Sequence, residues 1–291
     1  RAMQDPLAIT PLARPFDAAL RPPGSKSLTN RALLLAALAD GPSTLAGVLL
    51  SDDTRVMLHA LDRLGFHVEF DEAARTARLA GAAGRIPPPP APHDRHNART
   101  PPPGHSAAGR IPAHHAQLDL HNPGTATRFL TAACCLGQPG ARYRIDGNAR
   151  MRQRPIAQLV DALNTLGPDI NYEADPGYPP LIVAPAPFTA NTVELPTTIS
   201  SQYISALQQI GPRMPVGLTL DLVGDVTSKT YVHMTAELMR RFGADWRQTT
   251  ESIQRDGQRI PRVRYEVRPT GYAPTDYQIE PDASAASYFL A

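Results

Sequence analysis

Six stretches that read as helix starts fall into three pairs, and this spacing constrains the fold more than anything else in the chain. The first starts near Ser25 and carries Leu28, Ala32, Leu33 and Leu35 before Asp40-Gly41. The second starts near Ser51 and carries Val56, Ala60, Leu61 and Leu64 before Gly65. A second pair starts near Gly124 and at Pro155, the latter suited to a first helical position and followed by Leu159, Val160, Leu163, Leu166 and Gly167. A third pair starts near Ser200 and Lys229, the latter carrying Met234, Leu238, Met239 and Phe242 before Gly243. Glycine follows most of these stretches, as a helix stop requires. Within pairs the separations are 26 (Ser25 to Ser51), 31 (Gly124 to Pro155) and 29 (Ser200 to Lys229). Strand candidates lie between and after them: His67–Phe70, Arg142–Ile145, Asp169–Tyr172, Leu181–Val183, Leu218–Leu222 and Val263–Val267. The order predicts an α/β (α+β) chain that uses one β-α-β-α-β-β unit three times.

One stretch departs from this pattern. Residues 84–115 hold Pro87-Pro88-Pro89-Pro90, Pro92 and Pro101-Pro102-Pro103, which suit neither a helix nor a central strand. Ala82-Ala83-Gly84-Arg85-Ile86-Pro87 recurs as Ala107-Ala108-Gly109-Arg110-Ile111-Pro112, so a duplicated surface insertion is expected. Long loops close at little extra entropic cost. His93, His96, His105, His114 and His115 fall here without acidic or cysteine partners at ligand spacing, and no metal is assigned. A net charge of +2 argues against a nucleic-acid partner that needs a basic surface. No run of eighteen apolar residues spans a membrane. Cys134 and Cys135 are adjacent in an apolar helix and read as core; a reducing compartment, the cytoplasm, is expected.

Small, polar and basic residues crowd the helix starts: Gly24-Ser25-Lys26-Ser27 with Arg31; Asn122-Pro123-Gly124-Thr125 with Arg128; Arg152 and Arg154; Ser200-Ser201-Gln202; Thr227-Ser228-Lys229. Helix N-termini present free N–H groups and a positive dipole end, and so bind anions. Packed side by side, three such units bring these starts to one surface carrying Lys26, Arg31 and Arg154, suited to a small ligand with phosphate and carboxylate groups. Asp52 and Asp53 read as first-turn carboxylates that favour their helix dipole.

Pro23-Gly24-Ser25-Lys26-Ser27-Leu28-Thr29-Asn30-Arg31, Leu50-Ser51-Asp52-Asp53-Thr54, Asn122-Pro123-Gly124-Thr125-Ala126-Thr127-Arg128 and Arg150-Met151-Arg152-Gln153-Arg154-Pro155 form a series. Ser200-Ser201-Gln202-Tyr203, Ser228-Lys229-Thr230-Tyr231 and Asp282-Ala283-Ser284-Ala285-Ala286-Ser287 continue it. In this order they resemble the signatures of the 5-enolpyruvylshikimate-3-phosphate synthase family. The resemblance implies transfer of the enolpyruvyl group of phosphoenolpyruvate to the 5-hydroxyl of shikimate 3-phosphate, with release of phosphate and no cofactor or metal. It implies two similar domains of three units each and a monomeric, cytoplasmic enzyme. Residues 22–280 would form the shikimate-phosphate domain, and residues 1–21 and 281–291 would belong to the other. Family members continue well beyond the helix starting near Asp282, so the resemblance implies a fragment that binds shikimate 3-phosphate weakly without turnover.

Roles follow by motif. Lys26 would contact both substrates and is the catalytic candidate for proton transfer. Ser27 and Arg31 would hold the shikimate carboxylate, and Ser200, Ser201 and Ser228 its phosphate. Tyr231 would pack near the ring. Gly124, Arg154 and Gln202 would bind phosphoenolpyruvate, with Gln202 also reaching the shikimate ligand. Pro123 stands where the family commonly has Ala or Ser and removes an N–H beside Gly124. Two alternatives differ in kind. The sister family that transfers enolpyruvyl to a UDP-amino sugar shares the fold but usually carries a reactive loop cysteine. A non-catalytic anion-binding pseudoenzyme is the other.

Overall fold

A computed structural model describes residues 19–81, 115–224, 229–255 and 257–290. The second unit runs β4 (His115–Asp119), α3 (Gly124–Cys134), β5 (Arg142–Asp146), α4 (Ala157–Leu166), β6 (Asp169–Tyr172) and β7 (Leu181–Ala184). The third runs β8 (Thr192–Pro196), α5 (Ser201–Ile210), β9 (Leu218–Val223), α6 (Lys229–Arg241), β10 (Trp246–Arg255) and β11 (Gln258–Val267). Each forms a four-stranded sheet of the same design, ordered β4-β5-β7-β6 and β8-β9-β11-β10. The first two strands of each unit are parallel, and the rest antiparallel.

The first unit is built differently along the chain. It runs α1 (Lys26–Ala37), β1 (Ser43–Ala46), α2 (Asp52–Arg63), β2 (Val68–Asp71) and β3 (Thr76–Leu79), and among the described residues no strand precedes α1. That strand is β12 (Tyr277–Gln278), which pairs parallel to β1 with Leu45 opposite Tyr277. The order β12-β1-β3-β2 then matches the other two sheets. Gly24 bridges Pro281, Ser25 N–H donates to Glu280 O at 2.9 Å, and Asp282 N–H donates to Pro23 O at 2.8 Å. α7 (Ala283–Leu290) follows, with Asp282 Oδ1 accepting from Ser284 N–H at 2.9 Å.

The two helices of each unit differ in surroundings. α1, α3 and α5 are buried round most of their circumference, and they form the common core. α2 and α4 present one apolar stripe, Met57, Leu58 and Leu61 in α2 and Leu159, Val160 and Leu163 in α4. Ser51 and Thr54 form a reciprocal capping box at the start of α2, while Ser25 and Ser200 cap α1 and α5 with their hydroxyls. Cys134 and Cys135 are buried free thiols whose pKa values burial pushes up.

Several expectations need correction. α4 starts at Ala157 behind Ile156, not at Pro155; Arg152 and Arg154 sit on and after a 3-10 turn, Met151–Gln153, ahead of that helix. His115 opens β4, so the expected insertion does not reach it. The remainder of that insertion, 84–114, lies outside the described residues, as does Ser228. β2 is displaced by one residue from His67–Phe70, and β11 extends five residues before Val263. The strand candidates do not include β1, β3, β4, β8, β10 and β12; five of these are five residues or shorter, with few apolar positions to mark a strand.

Two carboxylates brace the outer sheets. Asp221 takes a two-pronged contact from Arg264 at 2.7 and 2.8 Å, which holds its carboxyl below the usual range against the opposing effect of burial. Burial pushes Asp146 up, but Arg152 at 2.9 and 2.7 Å, the Gly147 N–H and Arg144 outweigh it, and the net shift is downward. A lowered folded-state pKa stabilises the fold above the unfolded value of about 3.9, and that contribution is lost as pH falls through the folded value. The urea midpoint is therefore expected to hold from pH 7 to 5 and drop below about pH 4. The double variant Asp146→Asn, Asp221→Asn should start lower and fall less steeply. Parallel acid limbs for the two proteins would refute the assignment.

Candidate functional site

The starts of α1, α3 and α5 meet at one open cleft of about 490 Å³. Lys26, Ser27 and Arg31 line it from α1; Gly124 and Thr125 from α3, with Asn122 ahead of them; Ser201 and Gln202 from α5, with Ser200 ahead. Arg154, Tyr231 and Asp53 complete the wall. Every site residue expected from the sequence is therefore brought here except Ser228, which lies outside the described residues. The lining side chains carry three cations, Lys26, Arg31 and Arg154, against one carboxylate, Asp53. Three helix dipoles add positive potential at the same place. α3 starts behind Pro123, which makes no side-chain cap, so its first N–H groups are left for a ligand.

Arg31 is the most informative residue. It is 2% exposed, and it has no carboxylate partner among the described residues. Burial pushes its pKa down to about 10, with Tyr231 opposing the shift. Its guanidinium sits 5.0 Å from the Phe129 ring centroid and 5.9 Å from that of Tyr231. A buried cation without an acid is costly unless a ligand supplies the charge. An anionic ligand group in the cleft meets that requirement.

Asp53 corrects the sequence reading. Its carboxylate does not only serve the dipole of α2 but reaches Lys26 Nζ at 3.1 Å across the cleft. No residue spacing in the sequence signals this, because the pair bridges two helices. Asn122 and Thr125 belong to the motif around Gly124, but the resemblance implies no role for them. Asn122 O accepts from Arg154 Nη1 at 3.0 Å, and Thr125 Oγ1 accepts from Gln202 Nε2 at 3.5 Å. Arg152 turns away to Asp146 and is not part of the cleft.

The wall carrying Arg154 is pinned from below. Arg128 is 3% exposed and donates to Pro155 O at 2.8 Å and Gly124 O at 3.3 Å. Tyr203 Oη donates to the same Pro155 carbonyl at 2.6 Å. These contacts tie the arginine turn to α3 and α5. Arg154 then lies against Gly124, so close that a β-carbon there would stand 2.6 Å from its Cζ. Among the described residues no group of three or more His, Cys, Asp or Glu could hold a metal, and no helix is long and apolar enough to cross a membrane.

The solved EPSP synthase from Acinetobacter baumannii superposes with a TM-score of 0.67 at 19% identity, covering 93% of this chain and 51% of that one. The enolpyruvyl transferase NikO from Streptomyces tendae gives a TM-score of 0.55 at 17% identity, covering 93% of this chain and 53% of that one. The fold is thus that of the enolpyruvyl transferases, here with a cation-lined cleft at its helix starts. The family model described as EPSP synthase (3-phosphoshikimate 1-carboxyvinyltransferase) matches residues 13–101 and 103–291, and the chain belongs to that family. Curated relatives named 3-phosphoshikimate 1-carboxyvinyltransferase include those of Rhizobium etli, 40% identical over 98% of this chain, and Opitutus terrae, 38% identical over 99%. The chain spans 58% and 59% of the length of these two relatives.

Proposed function

We propose that the cleft binds shikimate 3-phosphate and serves a 3-phosphoshikimate 1-carboxyvinyltransferase. The observation that carries this reading is Arg31, a buried cation with no carboxylate partner among the described residues, at the floor of three converging helix starts. Arg31 and Ser27 would take the carboxylate of the shikimate ligand. Ser200 and Ser201, with Ser228, would take its phosphate, and Tyr231 would lie along its ring. Arg154, the N–H groups at Gly124 and Gln202 would take phosphoenolpyruvate. Guanidinium forks suit both carboxylate and phosphate.

In the proposed reaction the 5-hydroxyl oxygen bonds to C2 of phosphoenolpyruvate as its own proton passes to a base, while C3 gains a proton from an acid. Loss of that proton and of phosphate then restores the double bond in the product. Two polyanions must be brought together, so charge neutralisation and positioning carry much of the acceleration. Lys26 is the proton-transfer candidate on this wall, and Asp53 at 3.1 Å fixes where its ammonium sits. The reading includes residues 22–280 as the shikimate-phosphate domain. The paired segments around Gly24 and Pro281 would be its two crossings to a second domain, which their mutual hydrogen bonds support. It carries with it a monomeric cytoplasmic enzyme with neither nucleic acid nor membrane as partner.

The relatives favour a shikimate acceptor over a UDP-amino sugar, and both cysteines are buried rather than loop-borne. Calorimetric titration of this chain with shikimate 3-phosphate, and separately with a UDP-N-acetyl amino sugar, tests the proposal. Saturable binding of the first alone is expected. Binding of the second alone, or of neither by a folded chain, would overturn it.

A further inference from the structure

The structure assigns to Thr235 and Ser205 the task of aiming Arg31: they are positioning residues of the carboxylate subsite. This inference rests on the reading that Arg31 takes a ligand carboxylate. Both residues are 0% exposed and stand on different helices, Ser205 on α5 and Thr235 on α6, while Arg31 belongs to α1. Arg31 Nε donates to Thr235 Oγ1 at 2.7 Å, and Nη2 donates to Ser205 Oγ at 3.3 Å. Nη1 donates to Ser27 O, one turn back in its own helix, at 2.9 Å.

A guanidinium has five N–H donors. Three are used by these contacts, which leaves one on each terminal nitrogen. Those two remain for an anionic ligand, and a guanidinium edge suits a carboxylate. Thr235 Oγ1 lies 2.9 Å from Ser205 Oγ and 2.8 Å from the carbonyl oxygen of Tyr231. Thr235 Oγ1 is the donor in both contacts and its one proton is shared between them, so its lone pairs are left for Arg31 Nε. The network also ties the backbone of Tyr231, which lines the cleft, to the orientation of the cation.

The choice of hydroxyls has a physical consequence. A carboxylate at either position would hold Arg31 as firmly but would neutralise it and compete with the ligand. Neutral oxygens orient the guanidinium and leave its charge uncompensated. They also join three helices of two different units at one buried polar centre.

The test compares two ligands on the 291-residue chain: shikimate 3-phosphate and its analogue in which a hydroxymethyl group replaces the carboxylate. The readout is the ratio of their dissociation constants. Wild type is expected to favour the carboxylate ligand strongly. Thr235→Val, which keeps shape but removes the acceptor, should reduce that ratio about tenfold, the loss of one charge-assisted hydrogen bond's worth of alignment. Thr235→Ser should restore it. Ser205→Ala should reduce the ratio in the same direction, and it supplies the measurement if Thr235→Val fails to fold. An unchanged ratio in the variants, or equal weakening of both ligands, would overturn the inference. A wild-type ratio near one would instead overturn the assignment of Arg31 to a carboxylate.

Discussion

Replacing Arg31 with Met should leave the chain as stable as before, or more so, while removing most of its affinity for shikimate 3-phosphate. Arg31 is 2% exposed, and no acid among the described residues pairs with it. The downward shift of its pKa to about 10 means the folded state disfavours the charged form. At neutral pH that cost is fully present, because the group remains protonated well below its folded value. Removing the charge relieves it, and replacing buried ionic groups by packed apolar ones is often neutral or stabilising by about 1–4 kcal/mol. Met fills much of the same space between the Phe129 and Tyr231 rings. The ligand, by contrast, loses a desolvated two-pronged partner, a loss of about 2–5 kcal/mol. That range corresponds to a dissociation constant raised about thirtyfold to several thousandfold. Urea unfolding and calorimetry on the same preparation decide the matter. A large fall in the unfolding midpoint would make Arg31 a structural residue, and retained affinity would remove it from the site.

Gly124→Ala should have the opposite character to an ordinary site mutation, since it should stabilise the fold and weaken only one ligand. Gly124 is the first residue of α3, and a helical Gly-to-Ala change is worth about 0.5–1 kcal/mol of stability. The new methyl would stand 2.6 Å from Arg154 Cζ and 2.7 Å from its Nη1, too close for both to stay. The guanidinium is the flexible partner, so it moves and gives up its 3.0 Å contact to Asn122 O. Phosphoenolpyruvate affinity is expected to fall about 10–100-fold, the worth of one displaced charge-assisted pair. Binding of shikimate 3-phosphate, assigned by the proposal to Arg31 and the start of α5, should change less than about threefold. Titration with each ligand in turn separates the effects. Equal losses for both ligands would show that the methyl disturbs α3 as a whole.

The helix starts are the legible part of this chain, because their signals are local. Ser25, Ser51 and Ser200 each cap their own helix, and a cap is written within three residues of the helix it starts. The glycine after α4 works the same way, with Gly167 at φ 131° ending the helix. Pro155 misled for a local reason too. Its ring suits a first helical position, but its carbonyl is taken by Arg128 and Tyr203, and the helix waits until Ala157. What the sequence could not display is pairing between distant elements. Asp53 reads as a dipole partner until α1 places Lys26 3.1 Å away. Thr235 and Ser205 read as ordinary helix residues until the packing of α1, α5 and α6 gathers them round Arg31. β12 has two residues, too few for any periodicity, and only its partner β1 makes it a strand.

That late strand has a bearing on how the chain is made. Leu45 and its neighbour Tyr277 lie 232 residues apart in sequence (277 minus 45). A ribosome adding about 5–20 residues per second needs on the order of ten to fifty seconds to cover that distance. Throughout that interval the outer edge of β1 has no partner, while the second and third sheets can be completed from contiguous sequence. An open sheet edge invites pairing with other chains. β1 limits the hazard by being four residues long and bounded by Pro42 and by Gly47 at φ 72°. Nascent chains stalled before residue 277 should therefore be the aggregation-prone species of this protein, and the last-made residues of the first sheet act as its own edge guard.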